Sequence, residues 1–304
     1  MKIQRLPGNP VVTPALHPSL GTNINGPSLI RVPPWVKDPL GRYYLYFAHH
    51  HGKHIRLAYA DHIEGPWAIH EPGALSLEDS TCRDHIASPD VHVDEDRQVI
   101  RMYFHGVAFP GKDATDGHER LFGEAGRWIG DQRTKVAVSS DGLRFSARPE
   151  SLGASYFRAF RHDAWTYALA MPGVFYRSRD GLQDFEVGPI CFAPTFRHCA
   201  VVVRGQTLHV FYSEVGQTPE RILHTTIDLR PDWMDWRTGP VTTVLQPEND
   251  YEGAGLPPLA SLRGAASGPV RELRDPAVYQ EEGRLFLLYA VAGENGIAMA
   301  RMDL

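Results

Sequence analysis

Two aspartates beside prolines, a glutamate in a long loop and a run of histidines are the residues best equipped for proton chemistry in this chain. Asp90 stands in Ser88-Pro89-Asp90-Val91, Asp275 in Arg274-Asp275-Pro276 and Glu252 in Tyr251-Glu252-Gly253. Carboxyl groups that share a cleft can divide acid and base work, because their surroundings push their pKa values apart. Partial burial of Glu252 would raise its pKa and suit it to the acid role. The histidines are a second kind of proton carrier. His49-His50-His51 form one run, while His105 and His198 stand apart from it. On a strand His49 and His51 share a face and His50 takes the other. Such groups can bind hydroxyls, move protons or ligate a metal. No Cys or carboxylate lies close enough in sequence to complete a His-X-His set, so no metal ligands are assigned. Arg158, Arg161, Arg197 and Arg274 would suit an anionic group.

These residues need a frame that brings distant segments together, and repetition supplies one. A short alternating run, a turn and a second run rich in Tyr, Phe and Leu recur along the chain, with almost no long helical periodicity. The first unit reads PSLIRVP from Pro27, YYLYFAHH at 43–50, HIRLAYAD at 54–61 and GPWAIH at 65–70. The second begins at Pro89 with PDVHV and continues through VIRMYFHG to TKVAVSSDGLRFSA. The third reads FRAFRHDAWTYALAM, then GVFYRSRDGLQDFEVG. The fourth reads CAVVVRGQTLHVFYSE, RILHTTIDL and MDWRTGP; the fifth reads PAVYQEEGRLFLLYAVAG and GIAMARMDL. Ser139-Ser140-Asp141-Gly142-Leu143 and Ser178-Arg179-Asp180-Gly181-Leu182 match one another. Asp-Gly between alternating runs marks a hairpin, here between the third and fourth strands of a unit.

A four-strand unit repeated at this spacing predicts an all-β fold: a five-bladed β-propeller with four-stranded antiparallel blades, one domain over residues 1–304. The fifth unit ends after its third strand. KIQRLPGNPVV, before the first unit, is expected to supply the missing outer strand and close the ring, leaving no open sheet edge. Inner strands line the central channel, so their first residues converge. This gathers Asn25-Gly26-Pro27, Ser88-Pro89-Asp90, Arg158 with Arg161 and His162, Arg197-His198, and Arg274-Asp275-Pro276 in one funnel. Glu214 and Glu294 follow the second strands of the fourth and fifth units, as the His49 run and His105 follow those of the first two. Residues 106–132 and 241–272 read as loops beyond ordinary length, and such loops are usually functional. Trp128 in the first is expected to offer a flat platform to a ligand; Trp35, Trp165 and Tyr156 are further aromatics of that kind.

Composition excludes several classes. A hydrophobic content of 42% with 10% aromatics excludes a disordered chain. A net charge of -5 without a long basic run excludes nucleic acid as the expected partner. Three cysteines, Cys82, Cys191 and Cys199, do not make a disulfide framework. No 18-residue apolar run and no apolar leader at MKIQRLPGNP are present, so a cytoplasmic protein without a membrane partner is expected.

Five blades, Asp-Pro and Pro-Asp-Val motifs on inner strands, SSDGL-type hairpins and a Tyr-Glu-Gly element together resemble the five-bladed glycoside hydrolases. That superfamily includes the arabinanases and β-xylosidases of family 43 and the fructosidases. The resemblance covers residues 20–304, mainly as a blade pattern. Ser88-Pro89-Asp90-Val91 resembles the second-blade Ala-Pro-Asp-Val motif, and Arg274-Asp275-Pro276-Ala277 resembles the Arg-Asp-Pro motif. The resemblance implies a glycosidase acting on an oligosaccharide or glycoside in the funnel. It implies a carboxylate base or nucleophile, a general acid and a third carboxylate that tunes the acid. It implies no required cofactor, and a calcium ion held structurally in the channel. Asp90, Asp275 and Glu252 are the candidate catalytic groups. Asn25, His49, His50, His105, Arg161, His198, Glu214 and Arg274 are the candidate substrate contacts. One departure matters. The first blade of those enzymes carries Asp-Pro, with the Asp as base or nucleophile. Gly26-Pro27 stands here, with Asn23 and Asn25 nearby, and none of these takes a proton from water. Three readings stay open: hydrolysis by carboxylates on other blades, a His-assisted lyase or glycoside phosphorylase, or a sugar-binding propeller without turnover.

Overall fold

The computed structural model describes residues 1–109 and 132–304. Five antiparallel four-stranded sheets form the blades. Blade I holds β2 (Asn25–Arg31), β3 (Tyr43–Ala48), β4 (His54–Ala60) and β5 (Ala68–Ser76). Blade II holds β6 (Arg83–Asp94), β7 (Val99–Val107), β8 (Gln132–Ser139) and β9 (Ser146–Ala147). Blade III holds β10 (Arg158–His162), β11 (Trp165–Ala170), β12 (Val174–Ser178) and β13 (Glu186–Ile190). Blade IV holds β14 (Phe196–Arg204), β15 (Thr207–Glu214), β16 (Ile222–Asp228) and β17 (Thr242–Leu245). Blade V holds β18 (Arg274–Glu281), β19 (Arg284–Ala290) and β20 (Ile297–Asp303), completed by β1 (Lys2–Arg5). The N-terminal strand therefore closes the ring, with Lys2 opposite Asp303 and Arg5 opposite Ala300.

The second strand of each blade is sandwiched between neighbours, which is why it reads as a continuous apolar run rather than an alternating one. In β3, Leu45 and Phe47 pack with Phe286 and Leu288 of blade V. Tyr44 and Tyr46, on the other face, pack with Met102 and Phe104 of blade II. Each such buried side chain contributes about 1.5–3 kcal/mol. The SSDGL match has a physical cause. Tyr46 Oη donates to Gly142 O at 2.8 Å, and Tyr103 Oη donates to Gly181 O at 2.7 Å. Each hairpin thus docks on the second strand of the preceding blade. A Cβ at Gly142 would stand 2.8 Å from the Tyr46 hydroxyl, and one at Gly181 2.9 Å from that of Tyr103. Only glycine fits.

Two outer strands differ from expectation. That of blade I runs over Ala68–Ser76 rather than 65–70. That of blade IV is Thr242–Leu245, inside the segment read as a loop, and not 234–240. The reason is apolar: Trp233 and Trp236 are drawn into the core between blades III and IV. The strand forms only after Gly239-Pro240. The rest of the 241–272 segment has no strand. Trp128 and most of the 106–132 loop lie outside the described residues. Among the described residues, no helix is long and apolar enough to cross a membrane.

Candidate active site

Four of the five inner strands depart from regular pairing near the mouth, while β10 of blade III pairs regularly. In blades I, II, IV and V the ladder skips two residues: Gly26-Pro27, Ser88-Pro89, Arg197-His198 and Asp275-Pro276. A bulge of this kind re-aims side chains. Gly26, Ser88 and Asp275 take positive φ values of 59°, 49° and 48°. Tyr156, which leads into β10 of blade III, takes 67°. Non-glycine residues rarely adopt this region, and those that do cluster at functional sites. The Pro motifs of the sequence are therefore signatures of the bulge.

The ring of bulges places Asp275 at its centre of contact. Asp275 Oδ2 accepts the Gly26 N–H at 3.2 Å, and Oδ1 lies against Nδ1 of His198. Both side chains are buried, Asp275 at 1% and His198 at 4% exposure. Gly26 occupies the slot where the resemblance expects an acid, and the slot has no room for one. A Cβ there would stand 3.0 Å from the Cα of Ser88. The carboxylate next to that slot comes instead from blade V.

An arc of aromatic rings extends from His198. The Tyr156 ring lies 4.2 Å from His198 and 4.0 Å from His105. His85 follows at 6.0 Å from His105, then His51 at 5.8 Å and His50 at 4.9 Å. Burial, then the charge of Arg197, holds His198 well below the ordinary histidine range. Burial, then His85, does the same for His105. Both imidazoles are neutral at pH 7. Burial pushes the Tyr156 hydroxyl up to about 12, so it stays protonated. Tyr156 is only partly buried, and it is the most accessible of the Tyr156, His105 and His198 group.

Beneath the arc lies a buried ionic network. Arg274 pairs with Glu272, Glu294 and Glu220, and Arg197 pairs with Glu220 at 3.3 Å. Glu294 also accepts from Asn23 Nδ2 at 2.6 Å and faces His50 Nδ1 at 3.2 Å. Burial alone would raise Glu294, but His50, Arg274 and Asn23 outweigh it and hold it at about 2. Burial raises Glu272 despite Arg274.

The structure sorts the expected residues. Asp275, His198, His105 and His50 share the mouth. His49 is beside them, where its Nδ1 accepts the His51 N–H. Arg274 is consumed by the network. Asn25 is 3% exposed and spends its amide on Asn23. Glu214 is half-buried at the end of β15, within 3.2 Å of Gln217 Nε2. Three expectations need correction. Asp90 is engaged by His92, Ala159 and Arg158. It sits just past its bulge and borders a cavity of about 470 Å³ at the other end of the channel, with His92, Arg158 and Glu281. There it binds His92 Nε2 at 2.8 Å and the Ala159 N–H at 2.7 Å. Burial favours its protonation, but His92 and Arg158 outweigh burial and lower its pKa. Arg161 is exposed near the far end of β10, beside a groove with Asp94 and Arg101, and not in the mouth. Glu252 is fully buried and ties down the closing strand: it accepts from Arg5 Nε at 2.7 Å, Tyr289 Oη at 3.0 Å and the Glu248 N–H at 2.8 Å. Burial pushes its pKa up, but Arg5 and the Glu248 amide bring it below the usual range, the reverse of what a general acid needs. Trp165 is covered by Arg177 and Arg179, at 4.1 and 3.6 Å from its ring. His85, Glu220 and Glu272 were not singled out in the sequence. Glu220 and Glu272 belong to no bulge, His85 lies in a second ladder shift of β6 between Arg83 and Ile86 that holds no proline, and Tyr156-Phe157, like Arg197-His198, lacks the proline of the other three motifs.

A channel calcium does not fit these residues. Calcium takes six to eight oxygen ligands. The middle of the channel holds a cation already: Arg158 donates to Pro89 O at 2.6 Å and Cys199 O at 2.9 Å. Among the described residues, no cluster of three or more His, Cys, Asp or Glu is placed to hold a metal.

No family model matches the chain. It aligns with the uncharacterized protein R118 of Acanthamoeba polyphaga mimivirus at 33% identity over 337 positions, covering 99% of this chain and 90% of the viral one. The chain belongs to the family of that protein. Its fold is shared with solved family-43 glycoside hydrolases. A GH43 enzyme of Xanthomonas citri in complex with xylose matches with a TM-score of 0.61 at 13% identity, over 93% of this chain and 88% of the other. CoXyl43, a β-xylosidase/α-arabinofuranosidase from a compost metagenome, matches with a TM-score of 0.60 at 14% identity, over 99% and 96%. An α-L-arabinofuranosidase of Lactobacillus brevis matches with a TM-score of 0.59 at 12% identity, over 97% and 92%. At these identities the likeness is one of fold.

Proposed function

We propose that this propeller is a glycosidase-like enzyme that cleaves a glycosidic bond of an oligosaccharide at the mouth framed by its inner-strand bulges. One observation carries the reading: the Asp275 carboxylate bridges the Gly26 N–H and His198 Nδ1. The acid missing from blade I is replaced by one reaching in from blade V. Asp275 holds the His198 proton on Nδ1, which leaves Nε2 free to accept a proton from the water that attacks the anomeric carbon. A neutral His198 suits a base at pH 7. Tyr156, protonated and in contact with that ring, supplies the proton to the leaving oxygen. The role sought for a second carboxyl falls to a His–Tyr pair, since among the described residues Glu294, beside His50, is committed to the ionic network and stays ionised. The neighbours' xylose and xylotriose make pentose oligosaccharides the first substrates to screen. A sparse, odd count of three cysteines fits a reducing compartment such as the cytoplasm. The test is a panel of xylo- and arabino-oligosaccharides with product analysis, on the parent and on Asp275→Asn. Turnover abolished by that change supports the reading.

A second reading, sugar binding without turnover, has Gly26 in its favour, because the first-blade slot cannot take an acid. Calorimetry with tight binding and no product on long incubation would select it.

A further inference from the structure

His209 and His224 lie far from the mouth, on adjacent strands of blade IV. Register pairs His209 with Thr226 and Phe211 with His224, so the two histidines are diagonal neighbours on one face. Their rings are nearly parallel, at 21°, with centroids 5.2 Å apart. His209 Nδ1 stands 3.0 Å from His224 Nε2. Phe211, on the same face, belongs to the core shared with Leu285 and Leu287 of blade V. The pair therefore sits at the seam between blades IV and V. Both residues are partly exposed, so solvent reaches them.

We infer that His209 and His224 form a bidentate site for a late first-row divalent cation, with water completing the coordination. Metal–imidazole bonds run about 2.0–2.1 Å, and two of them at one ion place their nitrogens roughly 3 Å apart. The observed separation already matches that bite. As a hydrogen bond, the pair carries one proton between the two facing nitrogens. A cation displaces it to the other nitrogen of the same ring, so both rings stay neutral and no proton has to leave. Arg204 and the amino terminus are the charges that bear on the pair, and both oppose a cation. The site accordingly discriminates by ligand type, not by charge. Nitrogen donors favour copper over nickel and zinc, and exclude calcium and magnesium.

The experiment uses the full chain without an affinity tag, titrated with copper, nickel, zinc and magnesium chlorides by calorimetry and by thermal melting. One equivalent of copper is expected to bind most tightly, nickel and zinc more weakly and magnesium not at all. Copper is expected to raise the melting temperature, because a ligand of the folded state stabilises it. His209→Ala and His224→Ala should each weaken binding about tenfold or more and cancel the melting shift. His224→Gln, which keeps a polar side chain of similar length, serves if the alanine variants do not fold. The nitrogen signature of bound copper in electron spin resonance should vanish with either histidine. Binding that survives both substitutions but is lost in His50→Ala would place the ion at the mouth and overturn the inference. No copper binding by the parent protein would overturn it outright.

Discussion

The carboxylate of Asp275, on blade V, joins Gly26 of blade I to His198 of blade IV: Oδ2 accepts the Gly26 N–H at 3.2 Å and Oδ1 faces His198 Nδ1. This contact links the first blade to the last beside the pairing of β1 with β20. In the proposed function Asp275 takes the place of an acid on the first blade.

Gly26→Ala tests the geometry of that slot. The new Cβ would stand 3.0 Å from Ser88 Cα at a φ of 59°. A destabilisation of about 1–3 kcal/mol is expected from the backbone conformation. Urea unfolding measures it. A variant as stable as the parent would mean the bulges are not tightly packed.

Glu252 separates a structural role from a catalytic one. Glu252→Ala removes a buried partner of Arg5, Tyr289 and two backbone amides. Losses of about 3–5 kcal/mol follow when one partner of a buried pair is removed, and Arg5's 20% exposure places this case at the lower end. The folded fraction should keep its kcat. A large fall in kcat with stability intact would return Glu252 to the chemistry.

Acid should weaken the fold in two stages. His105 and His198 have lowered pKa values in the folded state. The unfolded chain then binds more protons below the ordinary histidine value of about 6.5, so stability is full above that pH and falls as pH drops through it. Glu294, held at about 2, and Glu252, also lowered, contribute stability that is full above the ordinary carboxylate range and is lost below it. Urea midpoints from pH 8 to pH 4 should fall first near 6.5, and His105→Gln should flatten that first step.

Much of this was legible in the sequence, for physical reasons. The blades show because the second strand of each is packed on both faces and reads as a continuous apolar run between turns, and the SSDGL hairpins show because Gly142 and Gly181 must sit against a tyrosine hydroxyl. The convergence of Asp275 and His198 followed from blade logic. Asp90 and Arg161 did not follow. A side chain one residue past a bulge points down the channel rather than to the mouth, and β10 is short enough that Arg161 is already near its far end. Glu252 misled because a capping box at Asn249–Glu252 looks in sequence like a free loop carboxylate. The Glu220–Arg197–Arg274 network was hidden because its members come from separate loops and strands.

Tyr156→Phe removes the hydroxyl while leaving the ring contacts with His105 and His198. Proton transfer by a positioned side chain contributes about 10²–10⁴-fold, and a fall in kcat of that order is expected with little change in stability. Unchanged kcat would remove Tyr156 as the donor.

The central claim is that Asp275 and His198 act as one unit. The most direct measurement is a double-mutant cycle of turnover on the best oligosaccharide of the panel, using Asp275→Asn, His198→Gln and the pair. Residues that act together are non-additive, so each single change should cost nearly as much as both. Full activity in either single variant, or losses that simply multiply in the double, would contradict the account.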